Sequence, residues 1–297
     1  MSTVRTAELT LASRASAYVA LTKPDVSFLV LITTAAGYYM GVRGPVGWLH
    51  MSHVLLGTLL IAAGTAALNH YLERESDRYM RRTASRPLPS GALQPGKALA
   101  FGVALAVAGA ADLYLAAGLL ASGLGVLTCL SYLLAYTHLK KPTLWATFVG
   151  AFPGAVPPLI GWAAATGSLD RGAWLLFGIL FLWQFPHFYA ISWMYREDYA
   201  RAGILMLPVV DREGIRTFRQ IILYATALVG VSLLPAVLGL AGVVYFFGAL
   251  VVCTALVQVC LWAASNKTNA RAKWLMHATV LHIPVLLGLM IYDKLPR

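Results

Sequence analysis

Charge is what this sequence has least of. Of its 297 residues only 12% are Asp, Glu, Lys or Arg, about half of the roughly 25% carried by a soluble domain. So few charges cannot solvate a globular surface of this size, and long apolar runs exclude disordered, collagen-like and coiled-coil classes. Cysteine is also sparse: Cys129, Cys253 and Cys260 lie singly inside apolar stretches, without a CxxC pair. That pattern argues against a disulfide framework and against a cysteine metal site. The first 26 residues hold Arg5, Arg14 and Lys23 but no apolar core before a small-residue cleavage site. They read as a polar cytoplasmic extension rather than a signal peptide, and Glu8 and Asp25 weigh against a mitochondrial presequence. No Ser/His/Asp or Cys/His constellation and no internal repeat stands out.

Apolar runs dominate instead. Nine of them, near residues 26–42, 52–71, 98–116, 118–139, 144–165, 173–195, 218–238, 243–264 and 274–292, approach the roughly 20 residues needed to cross the hydrocarbon. The expected fold is an all-α polytopic membrane protein with nine transmembrane helices. Pro153, Pro157 and Pro158 interrupt the fifth run and Pro186 the sixth, so both are expected to line a cavity where freed backbone groups find partners. The net charge of +11 suggests nucleic acid only if its placement is ignored. Loops on one side hold nineteen of the 23 lysines and arginines, and the other side holds Arg43, Arg171, Lys294 and Arg297. The positive-inside rule then puts the N-terminus in the cytoplasm and the C-terminus outside. Seven of the twelve carboxylates fall in two long cytoplasmic connections, near 72–97 and 196–217.

The second run ends in Asn69, Glu73 and Asp77, spaced four apart, with Glu75 between them. On a helix the first three form one stripe about 12 Å long. Two carboxylates and an amide on one face suit Mg²⁺ completed by substrate phosphates; a solvated, salt-bridged helix end is the plain alternative. Glu75 falls off that face if the helix is regular. Arg78, Arg81, Arg82 and Arg86 follow directly, and carboxylates for a cation followed by guanidinium forks match a diphosphate. Glu197 and Asp198 form a second acidic pair beyond the sixth run, and Lys140 with Lys141 stands between the fourth and fifth. Lys140 and Lys141 alone would be an ordinary positive-inside anchor. His187 lies eleven residues before Asp198; on an unbroken helix both face one way, within about 20°, with His187 about 16 Å deeper. His70, His277 and His282 have no such alignment.

These residues together resemble the UbiA-type intramembrane prenyltransferases, and more narrowly their protoheme IX farnesyltransferase (heme O synthase) branch. The resemblance rests on Asn69, Glu73, Asp77, Arg78, Arg82, Thr83, Arg86, Pro87 and Leu88, on Tyr136 with Lys140 and Lys141, and on the stretch 154–162. It continues through Trp183, Gln184, Phe185, Pro186, His187 and Phe188, then Arg196 to Tyr199 and Met206 to Pro208. The branch commonly has aspartate where Glu73 and Glu75 stand, and Ala202 replaces an acid of the wider superfamily.

The resemblance implies nine helices around a central cavity, residues 26–297 as one transmembrane prenyltransferase domain and residues 1–25 as the tail. It implies farnesyl transfer from farnesyl diphosphate to a vinyl group of heme b with addition of water, giving heme O and diphosphate. Asn69, Glu73, Asp77, Asp198, Lys140 and Tyr136 are then the catalytic set. Asn69, Glu73, Glu75, Asp77 and Asp198 hold Mg²⁺, as one ion or two, and Arg78, Arg82, Arg86, Lys141, Glu197 and His187 bind substrate. Arg82 and Arg86 serve either diphosphate or heme propionates; His187 serves either as axial ligand or in placing the vinyl group. Heme b is a substrate rather than a resident cofactor. A plasma-membrane setting with a cytoplasm-facing site follows, with a heme A synthase or oxidase assembly factor as partner and no nucleic acid. Two alternatives remain at this point: prenyl transfer to a quinone precursor or chlorophyll-like acceptor, and a secondary transporter.

Overall fold

The structure is a computed structural model that describes residues 11–296. Residues 1–10 of the expected tail, and Arg297, lie outside the described residues. Among those described the chain is helical, with one isolated bridge between Ala241 and Lys294. The elements are α1 Leu11–Leu21, α2 Pro24–Gly41, α3 Trp48–Asp77, α4 Pro95–Leu130, α5 Thr137–Leu139, α6 Ala146–Ala155 and α7 Pro157–Thr166. They continue with α8 Arg171–Met194, α9 Arg196–Arg201, α10 Leu207–Val210, α11 Ile215–Val237, α12 Val243–Ser265 and α13 Asn269–Tyr292. A π-helical turn, Ser131–Tyr136, joins α4 to α5.

Seven helical stretches are long and apolar enough to cross a membrane, or eight when the bent pair Arg14–Leu21 and Pro24–Gly41 counts as one span. The difference from the nine expected runs lies largely in Pro95–Leu139, which forms one 45-residue stretch. A straight helix of that length would reach roughly 68 Å. The chain turns at Gly118, whose φ of 79° and ψ of −174° are open to glycine. Ser122 Oγ donates to the Ala110 carbonyl, twelve residues back, at 2.8 Å. In a continuous helix those residues would stand roughly 18 Å apart, so the stretch doubles back on itself.

The first described residues are more than a polar extension. Ala17 and Leu21 of α1 bury against Ala67, Leu88, Leu93 and Ala98, and Tyr18 meets Phe101 edge-on. This small apolar cluster seats the loop after α3. On the opposite side of the protein, Lys294 Nζ donates to the Tyr39 and Val42 carbonyls at 2.6 and 2.7 Å. It thereby satisfies acceptors left open where α2 ends and ties α2 to the end of the chain.

The prolines differ from one another: Pro153 sits inside α6. Pro157 and Pro158 start α7 immediately after α6, so the fifth expected run is two half-helices. Pro186, in contrast, sits inside an unbroken α8. Gln184 of α8 donates to the Ala151 carbonyl of α6 at 2.9 Å, joining the broken span to its neighbour. α2 and α7 approach so closely that a methyl on Gly37 would fall on the Pro158 carbonyl, and one on Gly161 on the Thr34 carbonyl. Small residues at such crossings let backbones meet. Gly161→Ala is expected to destabilise the protein by about 1–3 kcal/mol through overpacking. Gly123→Ala, where an added methyl meets nothing within 4 Å, is expected to leave thermal unfolding in detergent unchanged or slightly raised.

Candidate active site

α3 stays helical to Asp77, so Asn69, Glu73 and Asp77 do share one face, and that face is inward. Asn69 and Asp77 are buried, and the side chain of Glu73 is 13% exposed. Glu75 stands apart from them. Its side chain is 63% exposed and pairs with Arg78 and Arg74, the solvated helix end that sequence offered as the plain alternative. Glu197 and Lys141 are likewise exposed.

Each inward group meets a cation or a donor. Lys140 Nζ lies 2.6 Å from Glu73 Oε1 and 4.3 Å from the centre of the Tyr136 ring. Burial opposes the Lys140 charge, yet Tyr136, Glu73 and Tyr132 around it hold the ammonium well above lysine's ordinary range. Arg86 Nη1 donates to Asp77 Oδ2 at 2.8 Å. Asp77 Oδ1 is buried with no hydrogen-bond partner among the described residues. Thr83 Oγ1 donates to the Asp77 carbonyl at 2.8 Å, satisfying the helix end. The π-turn before Lys140 is stabilised by Thr137, whose hydroxyl donates to the Tyr132 carbonyl; such turns concentrate at functional sites.

Lys23 is the residue the sequence did not single out. Its Nζ donates to Asn69 Oδ1 at 3.0 Å, while Asn69 Nδ2 donates to Thr137 Oγ1. Its charge looked like one more topology signal. The telling feature is conformational: with φ at 48°, Lys23 is the one non-glycine residue at positive φ among those described. Strain of that kind clusters at functional sites.

Asp198, at the start of short α9, is buried and accepts from the Arg82 backbone N–H at 3.4 Å. Arg201 pairs with its other oxygen and donates to the Tyr79 carbonyl. The Arg82 guanidinium lies between the rings of Tyr195 and Tyr199, 4.5 and 4.7 Å from their centres, and bonds the Tyr199 hydroxyl. The loop that carries Arg86 to Asp77 is therefore the loop that Asp198 grips. The connection after α9 joins them through a 2.8 Å bond from Leu205 N–H to the Lys140 carbonyl. Among the described residues no three His, Cys, Asp or Glu side chains group closely enough to hold a metal by themselves.

His187 takes a different place from the one helical register suggested. The helix is interrupted at Tyr195 between α8 and α9, so the alignment with Asp198 does not carry through. Its Nδ1 instead lies 2.8 Å from Thr279 Oγ1 on α13, and its ring stacks on Trp183.

Residues 30–282 match the UbiA prenyltransferase family. The chain belongs to that family. Membership removes the transporter alternative. A UbiA relative from Solibacter usitatus, a protoheme IX farnesyltransferase by name, is 51% identical over 93% of this chain and 98% of its own. A solved digeranylgeranylglyceryl phosphate synthase shares the fold, with TM-score 0.76, 18% identity and coverage of 94% and 98%. So does a UbiA homologue from Archaeoglobus fulgidus bound to DMAPP and Mg²⁺, with TM-score 0.62, 16% identity and coverage of 92% and 98%.

The buried ion pair has a measurable signature. Lys140→Met strands Glu73 without its cation and is expected to cost about 3–5 kcal/mol, whereas the double variant with Glu73→Gln recovers most of it. Arg78→Ala, at the exposed Glu75 pair, should change stability by no more than about 0.5 kcal/mol. Chemical unfolding of the purified variants checks all three.

Proposed function

We propose that this UbiA prenyltransferase transfers the farnesyl group of farnesyl diphosphate to a vinyl group of heme b, with water, giving heme O and diphosphate. One observation carries the donor side: among the described residues, buried Asp77 keeps a carboxylate oxygen without a partner while Arg86 holds the other. A buried anionic oxygen without a donor is costly, and a divalent cation with substrate oxygens satisfies it. The 51% identity to a protoheme IX farnesyltransferase supports heme as the acceptor.

Asn69, Glu73, Asp77 and Asp198 are the groups placed to hold Mg²⁺ with the diphosphate, and the bound ion draws charge from the leaving group. Lys140, Lys23, Arg86 and Arg82 form the surrounding cationic wall, able to take diphosphate oxygens in exchange for their present carboxylate, amide and tyrosine partners. As the C–O bond of the donor breaks, these fixed cations stabilise the charge that develops on the departing diphosphate. The allylic cation left behind is attacked by the heme vinyl group. Water captures the resulting cation and releases a proton. No protein nucleophile enters this sequence. Tyr136 holds Lys140 in place through its ring. Arg78, Lys141 and Glu197 lie at the rim, where they meet substrate on entry. His187 belongs to the heme side of the site.

The same reading assigns nine spans, the fold-back at Gly118 dividing Pro95–Leu139 into two and α6 with α7 making one. It places the N-terminus and the ionic site at the cytoplasmic face of a plasma membrane, with residues 1–25 as a cytoplasmic segment and 26–297 as one catalytic domain. A heme A synthase or oxidase assembly factor receives the product.

Purified protein given farnesyl diphosphate and heme b should form a heme heavier by a hydroxyethylfarnesyl group, detected by mass spectrometry, and only with Mg²⁺ present. Asp77→Asn is expected to lower turnover by about 100-fold or more. Product formation undiminished by full chelation would refute the site assignment.

A further inference from the structure

The hydrogen bonds around His187 determine which of its nitrogens carries the proton. Thr279 Oγ1 lies 2.6 Å from the Met276 carbonyl, and a carbonyl can only accept, so the single hydroxyl proton is directed there. Toward His187 Nδ1, 2.8 Å away, the same oxygen is left as an acceptor. Nδ1 must therefore be the donor, and in the neutral imidazole Nε2 holds the lone pair. Among the described residues this contact with Thr279 is the ring's one side-chain hydrogen bond, and the Met276 carbonyl offers it a backbone acceptor as well.

The support behind the ring is rigid. Trp183, one turn earlier on α8, stacks on the imidazole with centroids 5.1 Å apart and planes 15° apart. Its indole Nε1 donates to the Thr279 carbonyl at 2.7 Å. Thr279 is fully buried on α13, so both its hydroxyl and its carbonyl are spent on residues of α8. Histidines that bind metals commonly donate their second ring N–H to a fixed acceptor, which sets tautomer and orientation and raises basicity.

We infer that Thr279 is a positioning residue: it fixes His187 as the Nδ1–H tautomer, so that Nε2 ligates the iron of heme b. Trp183 holds Thr279 and the imidazole in register. The inference rests on the reading above that heme b is the acceptor, and it decides between the two roles open for His187 in favour of the axial ligand.

The test is spectroscopic. Full-length protein in lipid nanodiscs is titrated with ferric heme b, without farnesyl diphosphate, and the Soret band and EPR spectrum are recorded. Wild type should show a nitrogen-ligated iron. Thr279→Val, which keeps the shape but removes the hydroxyl, should weaken heme b binding by about tenfold and shift the spin state. Thr279→Ser should restore both. Mg²⁺-dependent farnesyl diphosphate binding, measured on the same samples, should be unchanged in each variant, confirming the fold. A Thr279→Val spectrum and affinity identical to wild type, with His187→Ala altered, would overturn the role of Thr279 alone. Heme b binding with a spectrum unmoved by His187→Ala would overturn the ligation itself. No saturable heme b binding by wild type would instead refute the acceptor reading beneath it.

Discussion

A carboxylate at the end of an apolar helix is stable only if something positive meets it, and in this protein that constraint organises the whole end of the bundle where α3 closes. Glu73 is answered by Lys140 and Asp77 by Arg86, each across a large separation in sequence or a tightly folded loop. The cost of leaving either partner alone is several kcal/mol, so the loop after α3 and the turn before α6 are drawn to the same place. Asp198 and Arg82 then lock α9 onto that loop. These cations are thus assembled by the anions they accompany.

This arrangement separates two jobs along the membrane normal. Ionic groups collect near helix ends, where their partners remain within reach of water. Deeper in the bundle, α8 carries an imidazole that meets the Thr279 hydroxyl of α13 and stacks on Trp183. Broken backbone is confined to places that other side chains repair: Gln184 bridges α6 and α8, and Thr83 closes the end of α3. Outside a membrane such repairs could be left to water; inside it they must come from the protein.

Much of the fold was legible because the bilayer imposes a length and a charge bias on any sequence that crosses it. That Asn69, Glu73 and Asp77 share one stripe followed from helical period alone, and so did the separation of Glu75 from it; that the stripe faces inward did not. The alignment of His187 with Asp198 failed for a local reason, the interruption at Tyr195, which no periodicity reveals. Lys23 was overlooked because a lysine before a first span is what topology already requires; its left-handed backbone is visible only in three dimensions.

Composition and spacing by themselves determined the class of molecule, its apolar runs and the face of α3 that bears the acids, since these depend on local period and on transfer into hydrocarbon. Which cation meets which anion, where Pro95–Leu139 doubles back, and which hydroxyl orients His187 were decided by tertiary structure. Those contacts join residues from 9 to 116 positions apart, and pairings over such distances are selected by packing and burial rather than by any pattern along the chain.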